Sequence, residues 1–189
     1  MNKKMDLDTI RTAALDLFRK EGYDQVTVDQ LCKVLGITKP TFYKYVPGKE
    51  ALLTSFYDAL CNQIAGHFVD IYKLTSCRDQ FHKIYDLIID GSYQLGPQLI
   101  GKMLSLNLVN DQHSFELREP IANMILAIIE KGQQNGEFTS KLTAADLFDA
   151  VNFDFLGMEY KWSVKKGDFD WKAKFYTLTD ILLEVSDQG

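Results

Sequence analysis

Val26-Thr27-Val28-Asp29-Gln30-Leu31-Cys32-Lys33-Val34-Leu35-Gly36-Ile37-Thr38-Lys39-Pro40-Thr41-Phe42-Tyr43-Lys44-Tyr45-Val46 places two short apolar stripes on either side of a glycine. Val28, Leu31, Cys32 and Leu35 recur at helical spacing, and Thr27 with Gln30 three residues on has the form of a capping box. Gly36 ends that helix. A third helix follows Ile37, with Thr38 as its predicted cap and Pro40 in its first turn, where no intrahelical N–H bond is lost. Two short helices joined by a tight glycine turn form a helix-turn-helix, whose second helix enters the DNA major groove. Gly36 serves the reversal, Cys32 the close contact, and Leu31, Leu35, Ile37, Phe42 and Tyr45 the crossing. With Phe42 and Tyr45 inward, the opposite face presents Lys39, Pro40, Tyr43 and Lys44, with Thr38 and Thr41 at its edge. Such donors suit phosphates and base edges. Short glycine-linked helix pairs also occur in purely structural bundles, so spacing alone leaves both readings open.

Outward from this segment the helical period persists and no sustained alternation marks a strand, so the predicted fold is all-α. Ile10, Ala14, Leu17 and Phe18 form a first stripe that ends near Gly22. After Pro47-Gly48, one long helix is predicted from Lys49 to about Tyr72, then others at about 77–95, 97–109, 120–135, 143–161 and 169–185. That makes nine helices: a three-helix domain over 1–48 and a larger helical domain over 49–189.

Composition narrows the function. Of 189 residues, 46% are apolar and 25% charged, as in soluble globular proteins, which excludes a disordered tail or a fibre. The net charge of −5 argues against indiscriminate coating of nucleic acid. It hides a local contrast, because residues 1–50 hold nine basic against seven acidic residues, while 51–189 hold twelve against nineteen. Lys39, Lys44 and Lys49 lie in a stretch whose sole acidic residue is Glu50. Cys32, Cys61 and Cys77 make no disulfide framework, and His67, His82 and His113 have no ligand spacing. Charges within Met1–Phe18 rule out a signal core, and the apolar run Pro120–Ile129 is half a bilayer span. A reduced, cytoplasmic protein with no membrane segment is expected. Without a phosphate-binding glycine loop, a nucleophile motif or paired metal ligands, no enzyme activity, cofactor or metal is expected.

The run Gly22-Tyr23, Val26-Thr27-Val28, Leu31-Cys32, Leu35 to Val46 and Lys49-Glu50-Ala51-Leu52 resembles the N-terminal domain of TetR-family transcriptional regulators, over about residues 8–55. Val46 stands where an aromatic is usual and Pro40 where glycine is common. The rest of the chain agrees in its all-helical plan and in the turn Gly132, Asn135-Gly136-Glu137-Phe138. The resemblance implies phosphate contacts for Thr27, Tyr43 and Lys49, and base-edge or adjoining backbone contacts for Thr38, Lys39, Pro40, Thr41 and Lys44. It implies a homodimer on a palindromic DNA operator and a small-molecule effector, with repression the favoured sign.

Periodicity fits either internal core or an interface for Leu147, Val151, Phe155, Met158 and Trp162, and for Trp171, Phe175, Leu178, Ile181, Leu182 and Val185. The resemblance favours a four-helix dimer interface built on Leu147, Val151, Phe155, Met158, Trp171, Phe175, Leu178 and Leu182. Phe81, Tyr85, Tyr93, Met103, Met124, Phe148 and Phe153 individually read as core, and as a set they are candidates for an effector pocket. The competing reading is a co-activator or adaptor of the same fold that works through a protein partner.

Overall fold

The computed structural model describes residues 5–111, 113 and 115–186. Among them ten α-helices follow one another: α1 (Leu7–Glu21), α2 (Val28–Leu35), α3 (Lys39–Tyr43), α4 (Lys49–Gly66), α5 (Phe68–Tyr72), α6 (Cys77–Leu95), α7 (Pro97–Val109), α8 (Glu119–Asn135), α9 (Ala144–Val164) and α10 (Lys172–Leu183). A 3-10 turn, Tyr23–Gln25, joins α1 to α2. The fold is all-α, and extended pairing among the described residues is limited to one antiparallel bridge, Phe138 to Val185. The tenth helix arises because the stretch 49–72 is not continuous. At Gly66, a weak helix former, His67 leaves helical geometry (φ −94°, ψ 3°) and its N–H turns to the Ile64 carbonyl. No described helix is long and apolar enough to cross a membrane.

The chain divides into two compact units, Met1–Ala59 with Gly101–Ser114, and Leu60–Ile100 with Phe115–Gly189. Two of the three divisions fall inside helices, α4 and α7, and none falls at Pro47-Gly48.

In the first unit, Ile10, Ala14 and Phe18 line one face of α1 and are fully or almost fully buried, as are Leu31 and Cys32 on α2, Phe42 on α3, and Leu52 and Leu53 on α4. Burying each large side chain contributes about 1.5–3 kcal/mol, which lets helices as short as α3 persist. The ends are chemically specified. Asp6 caps α1, Thr27 and Gln30 form the capping box of α2, and Thr38 caps α3. Gly36 closes α2 in the left-handed region, φ 66°. Tyr45 does not point inward as its spacing implied. Helix α3 stops at Tyr43, and the Tyr45 N–H bonds the Phe42 carbonyl, which shifts the phase by one residue. Val46 takes the core position at 4% exposure, while the Tyr45 hydroxyl reaches the Met5 carbonyl at 3.0 Å.

In the second unit, α6, α8, α9 and α10 enclose an apolar core that includes Ile84, Ile125, Ile129, Leu147, Val151, Trp171 and Phe175. Gly132 is required by contact, because a Cβ there would lie 2.2 Å from the Phe138 ring. Phe138 is itself buried in the turn after α8. The neighbouring Glu137 caps α6 from sixty residues away, accepting the Cys77 and Arg78 N–H groups at 2.8 Å each. Burial pushes its carboxyl up, but these bonds outweigh it and hold the group below its ordinary value. Arg78 and His82 on α6 both reach Asp180 on α10, at 2.7 and 3.1 Å.

Candidate nucleic-acid interface

Helix α3 turns its apolar side to the first unit through Phe42 and leaves Thr38, Lys39, Pro40, Tyr43 and Lys44 exposed, with Thr41 half-buried. The Thr38 and Thr41 hydroxyls hydrogen-bond each other at 3.0 Å. Tyr43, 51% exposed, rests edge-on against the Phe42 ring, so its phenol projects from a fixed base. Thr27 is exposed at the head of α2, and its hydroxyl is engaged with Gln30. Lys39 is held by a residue that sequence reasoning missed: its ammonium lies 2.8 Å from the Asp29 carboxylate on α2. That hydrogen bond, with the charge attraction behind it, raises the lysine's proton affinity. The one signal in the sequence was an acidic residue in the first turn of α2 ahead of a lysine-bearing helix.

Lys49 differs from the other basic residues. Its ammonium donates to the Tyr23 and Val26 carbonyls at 2.8 and 2.9 Å and sits 4.2 Å from the centre of the Tyr23 ring. Burial lowers its pKa. The phosphate contact expected of Lys49 meets an ammonium already engaged: two of its donors are spent on carbonyls of the α1–α2 turn, where the Tyr23 carbonyl also accepts the Val26 N–H. A second lysine that the sequence did not flag, Lys102 of α7, pairs with Asp24 in the same turn at 2.7 Å. That hydrogen bond pulls the Asp24 carboxyl below its ordinary value.

Residues 10–56 match the family model of bacterial regulatory proteins, tetR family. The N-terminal segment of the chain is a TetR-family domain. The chain is 39% identical over 59 residues to the HTH-type transcriptional regulator EthR of Mycolicibacterium smegmatis, covering 31% of this chain and 27% of that one. It thus spans about a quarter of the length of the curated relatives it matches first. Its backbone follows the fatty acid degradation regulator FadR of Bacillus halodurans with a TM-score of 0.72 at 18% identity, over 97% of both chains. Thermus thermophilus FadR, solved with lauroyl-CoA, superposes with a TM-score of 0.67 at 18% identity, over 94% of this chain and 93% of that one.

Of the residues expected to line an effector pocket, Met124 borders a groove and the others have varied surroundings. Phe81 and Tyr85 are sealed in an aromatic cluster, their rings 4.8 Å apart and Tyr85 4.9 Å from Phe175. The Tyr85 hydroxyl is spent on Asn152. Tyr93 packs edge-on against Trp162, Phe148 is half-buried, Phe153 is 71% exposed, and Met103 belongs to the first unit. Met124 faces a groove, a trough of about 560 Å³ in the second unit walled by Phe68, Val69, Tyr72, Pro120 and Ile128. Its polar residues are Gln80 and Asn123, and the Gln80 amide already donates to the Tyr72 and Leu74 carbonyls. A larger depression of about 1030 Å³ is lined by Arg78, Glu137 and Asp180, charges already satisfied within the chain.

The expected dimer residues need a similar correction. Leu147, Val151, Phe155, Met158, Trp171 and Phe175 are 0–9% exposed within the single chain, where α9 packs on α8 and α10 and the rings of Phe155 and Phe175 meet Tyr85 of α6 and each other. Leu178 and Leu182 are half-buried. The outward side of α9 instead carries Phe153, Tyr160 and Val164, and that of α10 carries Ile181, at 58–71% exposure. Gly157, between Phe153 and Tyr160, has open space where a side chain would stand.

Proposed function

We propose that this chain is a homodimeric, sequence-specific DNA-binding transcriptional regulator: a cytoplasmic repressor that leaves a palindromic operator when a small molecule binds. The observation that carries the reading is the exposed face of α3, where Thr38, Lys39, Tyr43 and Lys44 project from a helix anchored by Phe42. A helix of five residues has no stability of its own, so its outward donors stand ready on a rigid support. One such head contacts few bases. Two heads related by a two-fold axis double the contacts and require half-sites in successive major grooves. The exposed residues Phe153, Tyr160, Val164 and Ile181 supply an apolar face for that pairing, and Gly157 lets a second α9 approach closely. The apolar groove beside α5 suits an aliphatic effector, and its volume is in the range of small-molecule sites.

Footprinting of purified protein on DNA upstream of its own gene, with a salt titration, tests the reading. Expected is protection of a palindrome, with affinity falling steeply as salt rises. Lys39→Ala and Lys44→Ala each weaken binding and flatten the salt slope. The double variant Phe153→Glu/Ile181→Glu sediments as a folded monomer and loses protection. Lauroyl-CoA is the first effector probe. No protection even at low salt overturns the DNA-binding reading and favours an adaptor role.

A further inference from the structure

The pairing of Asp29 with Lys39 places a carboxylate on a surface otherwise furnished with lysines and hydroxyls. Asp29 lies in the first turn of α2 and Lys39 is the first residue of α3; their side chains are 70% and 52% exposed. A phosphate-binding surface gains nothing from a carboxylate, which repels the DNA backbone. A base-reading surface does, since cytosine offers an N4 amino group that an aspartate accepts. The ammonium has three protons and the carboxylate about four acceptor sites, so each keeps capacity after meeting the other.

Resting on the DNA-binding reading above, we infer that Asp29 and Lys39 together read a single G·C base pair in the major groove, the ammonium on guanine O6 and N7 and the carboxylate on cytosine N4. The spacing is complementary. Guanine O6 and cytosine N4 are hydrogen-bonded to each other, hence about 2.9 Å apart, and the two protein atoms that would face them are 2.8 Å apart. The ion pair thus presents a donor beside an acceptor at the pitch of the acceptor beside a donor on the base pair. The orientation is also determined. C·G and A·T, read in the same direction, put an amino group against the ammonium and a carbonyl oxygen against the carboxylate. T·A restores the acceptor–donor order, but it sets the thymine methyl where N7 served the ammonium and brings adenine N7 toward the carboxylate. The preference order is therefore G·C, then T·A, then the two inverted pairs. The Asp29→Asn side chain offers both a donor and an acceptor, so that variant loses the carboxylate's share of the inversion penalty while Lys39 keeps its own.

Full-length protein is used to select duplexes from a randomised library, and each base pair of one selected half-site is then substituted in turn. The expected result is one G·C pair whose inversion weakens wild-type binding about ten-fold. In Asp29→Asn that penalty drops to about three-fold, the share that Lys39 retains, whereas substitutions at other pairs cost both proteins alike. Lys39→Met loses the same preference at the same pair, which locates the effect independently of the aspartate. Urea unfolding of both variants at wild-type midpoints shows that the change is one of recognition. The inference is overturned if Asp29→Asn keeps the inversion penalty at every position, or if the selected half-site contains no such pair. Recovery of no duplex by the wild type refutes the DNA-binding reading itself, and this inference falls with it.

Discussion

Glu159 lies in the middle of α9 at 2% exposure, with the Ser92 hydroxyl of α6 donating to its Oε1 at 2.5 Å. Burial raises its carboxyl from the ordinary 4.5 to about 7, and the Ser92 bond opposes that shift only in part. Each tenfold displacement of a proton equilibrium is worth about 1.4 kcal/mol, so the buried carboxylate costs the folded state about 3 kcal/mol once ionised. The sign follows from proton counting. Below 4.5 the group is protonated folded or unfolded and there is no penalty. Between 4.5 and about 7 the folded chain holds a proton that the unfolded chain has released, so stability falls as pH rises through that window and then levels off. Glu159→Gln keeps an acceptor for Ser92 and has no charge to bury. Urea unfolding of both proteins at about pH 4.5, 6, 7 and 8.5 should show near-equal stability at the acid end. The variant should be more stable by about 2–3 kcal/mol at the alkaline end. Taking the difference between the two proteins cancels the titration of every other group. A gap that stays constant across the series would refute the reasoning, because a constant gap reports packing and not the desolvated charge.

Gly132→Ala should destabilise the protein by about 1–3 kcal/mol in urea titration, since the new Cβ meets the Phe138 ring and neither the helix nor the buried ring has room to yield. Glu137→Gln should cost about 1–2 kcal/mol at neutral pH, as α6 exchanges a charged cap for a neutral one. The wild type should lose that advantage as pH falls below the ordinary carboxyl value, because the depressed Glu137 then takes up a proton, and the variant should not. Lys49→Met should lower the melting temperature of the first unit while leaving the salt slope of DNA binding almost intact. Lys44→Met should do the reverse, as its side chain is exposed.

The groups most legible in the chain were those whose job is local. Thr27 with Gln30, Gly36 and Thr38 are read within a few residues, since caps and turns are satisfied by neighbours in sequence. The face of α3 that carries Lys39, Tyr43 and Lys44 followed from the position of Phe42 by helical phase. Where phase was lost, the reading slipped: α3 ends two residues early, and Val46 takes the core position expected of Tyr45. On α9 and α10 periodicity found the apolar stripe but not what covers it. Phe155, Trp171 and Phe175 are closed off by α6 and by one another, and the residues left outward are Phe153, Tyr160 and Ile181. The expected effector residues meet the same limit, because an aromatic that seals a core and one that walls a groove have the same composition.

The residues in their order were enough to specify an all-helical chain, the succession of its helices apart from the break between α4 and α5, and a helix-turn-helix with a basic outward face. These depend on spacing, caps and glycines, which act over a few residues. It took the packed chain to turn Lys49 inward to the Tyr23 and Val26 carbonyls, to bring Asp29 to Lys39, to set Glu137 on the head of α6, and to bury Glu159 against Ser92. Each of these joins groups ten to sixty-seven residues apart or sets the local dielectric, and neither the partner nor the depth of burial is written in the residue's own neighbourhood.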